Sequence, residues 1–225
     1  MSSFSDPRAV ARYAEGPVRK VPGFHALQEM ASILLAERVG ATGRVLVLGA
    51  GGGLELKAFA ERHPGWRFLG VDPSAQMLAL ARRTLGPLAS RVELLEGYID
   101  DAPGDRFDGA TCLLTLHFLP AVERLRTLVE LRHRLKPGAP LVVAHHSFPR
   151  EGGQAMRWLR RYAAFAAASG ETPGITEKSI EAMAERLPSL PPQADEKLLR
   201  QAGFENVELF YAGFTFRGWV AYQET

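Results

Sequence analysis

The chain has 225 residues and a net charge of only +2, with 27 Lys and Arg against 25 Asp and Glu, so no long-range field draws it toward nucleic acid. Its one cysteine, Cys112, lies in an apolar run and excludes both an internal disulfide and a clustered-thiolate metal site. Hydrophobic residues at 46% and charged residues at 23% give a globular composition, at a length that fits one α/β unit spanning residues 1–225.

The first forty residues precede any strand, and their opening, residues 1–16, has no apolar stretch resembling a signal peptide. No run approaches the roughly 20 apolar residues of a membrane span, and a cytoplasmic location is expected. Within this segment Phe24–Val39 has the spacing of an amphipathic helix. Arg44–Leu48 (RVLVL) then reads as a buried parallel strand ending on glycine, and Leu54–Arg62 as a helix stopped by His63-Pro64-Gly65. Arg67–Val71 is a second strand, closed by Asp72. The helix that Asp72-Pro73-Ser74 opens carries Met77, Leu78, Leu80 and Ala81 on one face. Further strands are expected at Arg91–Leu95, Phe107–Leu114 and Leu141–His145, with a helix over Ala121–Leu135 before the last of them. Strands alternating with helices of this length imply right-handed crossovers and a doubly wound, mostly parallel sheet.

The end of the chain departs from that alternation. After a helix over Asp195–Ala202, the runs Val207–Phe216 and Trp219–Tyr222 are separated only by Arg217-Gly218, too short for a crossover. They are expected to form an antiparallel hairpin, giving a seven-stranded Rossmann-like sheet. Residues 150–192 lie outside the sheet and read as a helical cap, and residues 1–40 as an N-terminal lid.

Gly49-Ala50-Gly51-Gly52-Gly53 directly follows a strand and opens a helix, where backbone turns tightly and free amides face a ligand. A dinucleotide fingerprint begun at Gly49 needs its last glycine where Leu54 stands. The spacing Gly49-x-Gly51-x-Gly53 instead has the form used for S-adenosylmethionine (SAM). Asp72, about twenty residues on, is placed to accept both ribose hydroxyls. Pro73 and Met77 follow it, Met77 against an adenine face or in the core. Tyr98 and Ile99 end the third strand, where Tyr98 can stack on the base.

The residues together resemble the bacterial carboxy-SAM synthases of tRNA wobble-uridine modification, a branch of the class I methyltransferases. The resemblance runs through Val21-Pro22-Gly23-Phe24, the glycine turn, Asp72, Thr115-Leu116-His117-Phe118-Leu119, Lys136-Pro137-Gly138-Ala139, Ser147-Phe148 and Ala202-Gly203-Phe204-Glu205. It implies a class I fold, SAM as cofactor, a homodimer, and cofactor contacts at the positions of Phe24, Tyr98 and Leu113. In that family those positions are tyrosine, aspartate and asparagine, and the cap position of Ser179 is an arginine for the extra carboxylate of carboxy-SAM. These departures favour ordinary methyl transfer to a small-molecule acceptor, with carboxy-SAM synthesis as the alternative. An NAD-dependent oxidoreductase, opposed by Leu54 and the hairpin, and a non-catalytic SAM-fold partner protein are further alternatives.

Methyl transfer needs in-line geometry more than acids or bases. His117, just after the fourth strand, is the candidate base for an acceptor proton, or else a strand cap. His145 and His146 point to opposite faces, and His145 is assigned to the acceptor side. Tyr13 and Arg19 of the lid, and Arg157 and Arg161 of the cap, are the other candidate substrate residues. With no third ligand at metal spacing, no metal site is expected.

Overall fold

A computed structural model describes residues 15–172 and 174–224, so Tyr13 falls outside the described residues. Two helices come first, α1 (Gly16–Lys20) and α2 (Phe24–Ala36). The second stops short of the expected Val39, because the Arg38 and Val39 amides both turn back to the Leu35 carbonyl. The alternating part follows as β1 (Arg44–Leu48), α3 (Leu54–Arg62), β2 (Arg67–Asp72), α4 (Ala75–Leu85), β3 (Val92–Glu96), β4 (Gly109–Leu113), α5 (Ala121–His133) and β5 (Pro140–His146). Strand β4 begins two residues later than expected, since Phe107 makes only an isolated bridge to Leu135.

The seven strands run in the order β3-β2-β1-β4-β5-β7-β6, the first five parallel. Strict alternation along each strand divides the core in two. Val45, Val47, Phe68, Val142, Ala144 and Val220 bury one face with Leu27, Ala31 and Leu35 of α2 and Leu56 and Phe59 of α3. Leu46, Leu69, Val71, Cys112, Leu141, Val143 and Trp219 bury the other with Leu128 and Leu131 of α5. Every residue of β4 and β5 is buried, as a doubly covered parallel sheet requires. No helix among the described residues is long and apolar enough to cross a membrane.

The closing hairpin exists, but its turn is elsewhere. Strands β6 (Phe204–Gly213) and β7 (Phe216–Gln223) are joined at Phe214-Thr215, not at Arg217-Gly218. Phe214 takes a left-handed φ of 49°, and the buried Thr215 accepts the Ser147 amide on its carbonyl. Gly218 lies inside β7 instead, where a Cβ would stand 3.0 Å from the Phe210 ring and 3.2 Å from Ala144 Cβ. The glycine marks a close approach within the sheet, one of the two meanings a strand glycine has.

Between β5 and β6 come α6 (Gln154–Ala168), α7 (Glu177–Arg186) and α8 (Pro192–Gln201). The return from α7 is fastened to the end of β5: the Phe148 amide and the Ser147 hydroxyl both donate to the Leu190 carbonyl. Helix α8 starts at Pro192, three residues before the expected Asp195, with proline in its first turn.

Candidate functional site

The glycine turn joins β1 to α3 at the carboxyl edge of the sheet. Gly49, Gly51 and Gly53 have φ of 79°, 50° and 81°, all left-handed, and the Gly49 and Ala50 amides donate to the Val71 carbonyl. The turn is therefore pinned to β2 on one side. A Cβ at Gly53 would meet backbone, the Ala81 Cα of α4 at 2.9 Å, which cannot move out of the way as a side chain can. Replacing Gly53 with alanine is thus expected to cost about 2 kcal/mol or more, from left-handed strain plus the collision. Thermal unfolding of the Gly53→Ala variant at wild-type midpoint would show that the turn has another conformation.

Asp72 closes β2 opposite this turn. One carboxyl oxygen accepts the Gly51 amide at 2.9 Å, and the other accepts the Ser74 amide at 2.9 Å. Burial pushes its pKa up, and the two amide bonds oppose that rise. The helix cap that follows is Ser74 rather than Asp72, since the Ser74 hydroxyl accepts the Met77 amide. Asp72 itself is half-buried, while Pro73 is exposed and Met77 sits in the buried face of α4. Tyr98 is 65% exposed beyond the end of β3, next to buried Ile99. The two carboxylates after it are already engaged: Asp101 accepts the Tyr98 amide, and Asp100 pairs with Arg126 at 2.7 Å. Leu113 ends β4 and Phe24 begins α2, both buried in the core of that face.

Three histidines gather at the ends of β4 and β5. His117 lies in the single turn Leu116–Phe118, 5% exposed, and its Nδ1 has no hydrogen-bond partner among the described residues. His146 stands edge-on to it, with ring centroids 4.8 Å apart. Its Nδ1 is 2.9 Å from the Thr215 hydroxyl, and Phe216 and Tyr162 flank its ring. Burial and the neighbouring histidines hold His117 well below the usual imidazole range, and burial lowers His146 to about 3. Both rings are neutral at physiological pH.

His145, assigned to the acceptor side from the sequence, faces the other way. It is 1% exposed on the α5–α8 face, with Nε2 at 3.3 Å from Asp195 and its ring near Trp219. The residue beside His117 is His146. Alternation forces one histidine to each face, but both faces of β5 are buried, so no polarity in the sequence tells which is which.

The remaining candidates stand apart. Arg19 is in the five-residue α1 and pairs with Glu15 at 2.7 Å. Arg157 and Arg161 are on the outer side of α6, lining an open groove with Gly152, Gly153, Arg160 and Ala164. Arg161 lies over the Trp158 ring at 4.6 Å, and Arg217 approaches the same ring.

Two residues that the sequence did not single out are buried polar groups of this region. Glu55, in the first turn of α3, is 8% exposed and accepts the Thr111 hydroxyl. Arg124 of α5 is fully buried against Asp195. A charged residue inside an otherwise apolar helix face was the only signal for either.

Residues 45–138, which contain the glycine turn, Asp72 and His117, match a family model described as a methyltransferase domain. Over the full length the chain is similar to carboxy-S-adenosyl-L-methionine synthases. That of Chromohalobacter salexigens is 29% identical over 100% of this chain and 85% of the relative, and that of Wolinella succinogenes 27% over 96% and 91%. Among solved structures, an O-methyltransferase family protein from Burkholderia thailandensis superposes with a TM-score of 0.69 at 20% identity, over 100% of this chain and 62% of that one. Human N-acetylserotonin methyltransferase in complex with SAM does so with a TM-score of 0.60 at 18% identity, over 100% and 61%. The chain thus spans about three fifths of those two structures. Its fold is that of the class I SAM-dependent methyltransferases, and the match to the methyltransferase-domain model is confined to residues 45–138.

Proposed function

We propose that the protein transfers a methyl group from SAM to a small-molecule acceptor. The observation that carries this reading is the pairing of a left-handed glycine turn with a half-buried carboxylate across it, Gly51 to Asp72. Gly51, Gly52 and Gly53 bring no Cβ to the end of the turn, and the amides of the first turn of α3 have no intrahelical partners. Asp72 is placed for the ribose hydroxyls. These residues fit SAM, which would supply a methyl group on a sulfonium.

The chain's own part is positioning. Holding donor and acceptor in near-attack geometry is worth about 7–11 kcal/mol. His117 presents an unpartnered imidazole nitrogen at the end of β4, and His146 with Thr215 fixes the ring beside it. A neutral imidazole there can accept a hydrogen bond from an acceptor hydroxyl or amine. A homodimer is the proposed assembly, and Arg19, Arg157 and Arg161, which stand apart from His117, take no part in this reading.

Carboxy-SAM synthesis is the second reading, favoured by the full-length similarity to those synthases. Against it, the cap position expected to bind the extra carboxylate is Ser179, which is exposed and whose amide and hydroxyl are both engaged with Thr176 Oγ1 in capping α7. Mass spectrometry of the small molecule released on denaturing the purified protein separates the two. SAM or its demethylated product is expected. Carboxy-SAM would overturn the methyltransferase reading, and NAD would overturn the cofactor assignment itself.

A further inference from the structure

We propose that Glu55 is the residue that answers the positive charge of the bound cofactor: it holds a proton in the ligand-free protein and releases it when a sulfonium or ammonium cation settles over the glycine turn. The inference rests on the reading of that turn as the SAM site and assigns a charge-sensing role within it.

Glu55 is the second residue of α3, two positions beyond Gly53, and is 8% exposed. One carboxyl oxygen accepts the Thr111 hydroxyl from β4. None of the cations on the surrounding elements reaches it. On α3 itself Lys57 is 3.9 Å from Glu61, Arg62 pairs with Glu29 of α2, and His63 bonds Ser32 of α2. Arg91, beyond α4, donates to the carbonyls of Ala60, His63 and Trp66. His25 of α2 lies edge-on to Phe24. On β2 Asp72 is held by Gly51 and Ser74, and on β4 the buried Cys112 thiol is pushed up and stays neutral. His146 of β5 is turned to Thr215.

An ionised carboxylate buried without a cation is costly, and a hydrophobic residue would fill this place without that cost. In the ligand-free protein the group therefore keeps its proton, and burial pushes its pKa up to about 8 against the Thr111 bond. A cation arriving at the turn changes the balance. The amino end of α3 already favours negative charge, so the ionised form needs only the missing counter-charge. The balance is simple: the Glu55 O–H bond breaks, its electron pair stays on the carboxylate, and the proton passes to buffer.

Isothermal titration at about pH 7 in two buffers of different ionisation enthalpy tests this. A group with a pKa near 8 is about 90% protonated at that pH, so SAM is expected to release about 0.9 proton per site. The Glu55→Gln variant should bind SAM and release none. S-adenosylhomocysteine keeps the ammonium but lacks the sulfonium, so release with it assigns the effect to the ammonium and no release assigns it to the sulfonium. Methylthioadenosine, which carries neither, should release nothing. Between about pH 6 and about pH 7 the wild-type affinity for SAM should tighten about tenfold more than that of the variant. Asp72 contributes alike to both proteins, so the difference isolates Glu55. An infrared difference spectrum of the wild type should show a protonated-carboxyl band lost on adding SAM, a readout that survives if the variant fails to fold. SAM bound with no proton exchange, or with the same exchange in Glu55→Gln or with methylthioadenosine, overturns the role of Glu55 alone. Failure of the wild type to bind SAM at all overturns the cofactor reading and this inference together.

Discussion

Replacing Arg124 with methionine is expected to destabilise the protein by about 3–5 kcal/mol, the usual result of leaving one member of a buried ion pair without its partner. Arg124 is fully buried, and its guanidinium binds Asp195 while also donating to the carbonyls of Leu119 and Pro188. One side chain thus ties together α5, the loop that carries His117, the return from α7 and the start of α8. Without it the Asp195 carboxylate, 2% exposed, is left with His145 at 3.3 Å and a bond to Ser147, and with no permanent cation. At about 2–4 °C per kcal/mol for a chain of this size, the midpoint of thermal unfolding should fall by roughly 6–20 °C. The double variant Arg124→Met with Asp195→Leu should recover a large part of the loss, because it removes the stranded charge as well. A single variant that unfolds within a degree or two of wild type would mean that the network is not closed as described.

The same network gives a pH dependence whose sign is fixed. Burial acts to raise the Asp195 pKa, but His145, Arg124 and a bond to Ser147 outweigh it and hold the carboxyl below its ordinary value. A group depressed in the native state stabilises above its unfolded pKa, about 3.9 for aspartate, and loses that contribution as pH falls through the native value. Acid should therefore destabilise wild type in this low window, and Asp195→Leu, Arg124→Met should lack that component.

The parallel part of the sheet was legible because each strand is a short apolar run between breakers. RVLVL ends on Gly49, and the run from Arg67 ends on Asp72, so both sides of the candidate cofactor site could be placed from spacing. What escaped depends on contacts between distant segments. Gly218 looks like a turn glycine in the sequence, and only the packing of Phe210 and Ala144 against it gives its place in β7. His145 and His146 differ only in which buried face they meet. Arg124 and Asp195 are 71 residues apart, Glu55 and Thr111 are 56 apart, and nothing local announces either pair. Charge inside a helix face was a warning, but its partner had to come from the fold.

The second large effect is expected at Asp72. Charge-assisted hydrogen bonds are worth about 1.5–3 kcal/mol each, so losing both ribose contacts in Asp72→Ala should weaken SAM binding by roughly two to four orders of magnitude. Part of that loss is indirect, because the carboxylate also holds the Gly51 and Ser74 amides, and the alanine leaves both without acceptors. Asp72→Asn separates the two contributions. Its single acceptor oxygen can serve two of the four bonds that the carboxylate would make, while its NH2 group meets a donor where the second oxygen stood. Its affinity should fall between the wild type and the alanine variant. Calorimetry with SAM, read beside the thermal midpoint of each variant, decides the assignment. An alanine variant that folds normally and binds SAM within about threefold of wild type would leave less than 1 kcal/mol for Asp72 and would remove it from the ribose site. A variant that loses stability and affinity in proportion would make Asp72 a support for the glycine turn alone. Loss of affinity well beyond loss of stability is the outcome that places the cofactor's ribose on this carboxylate.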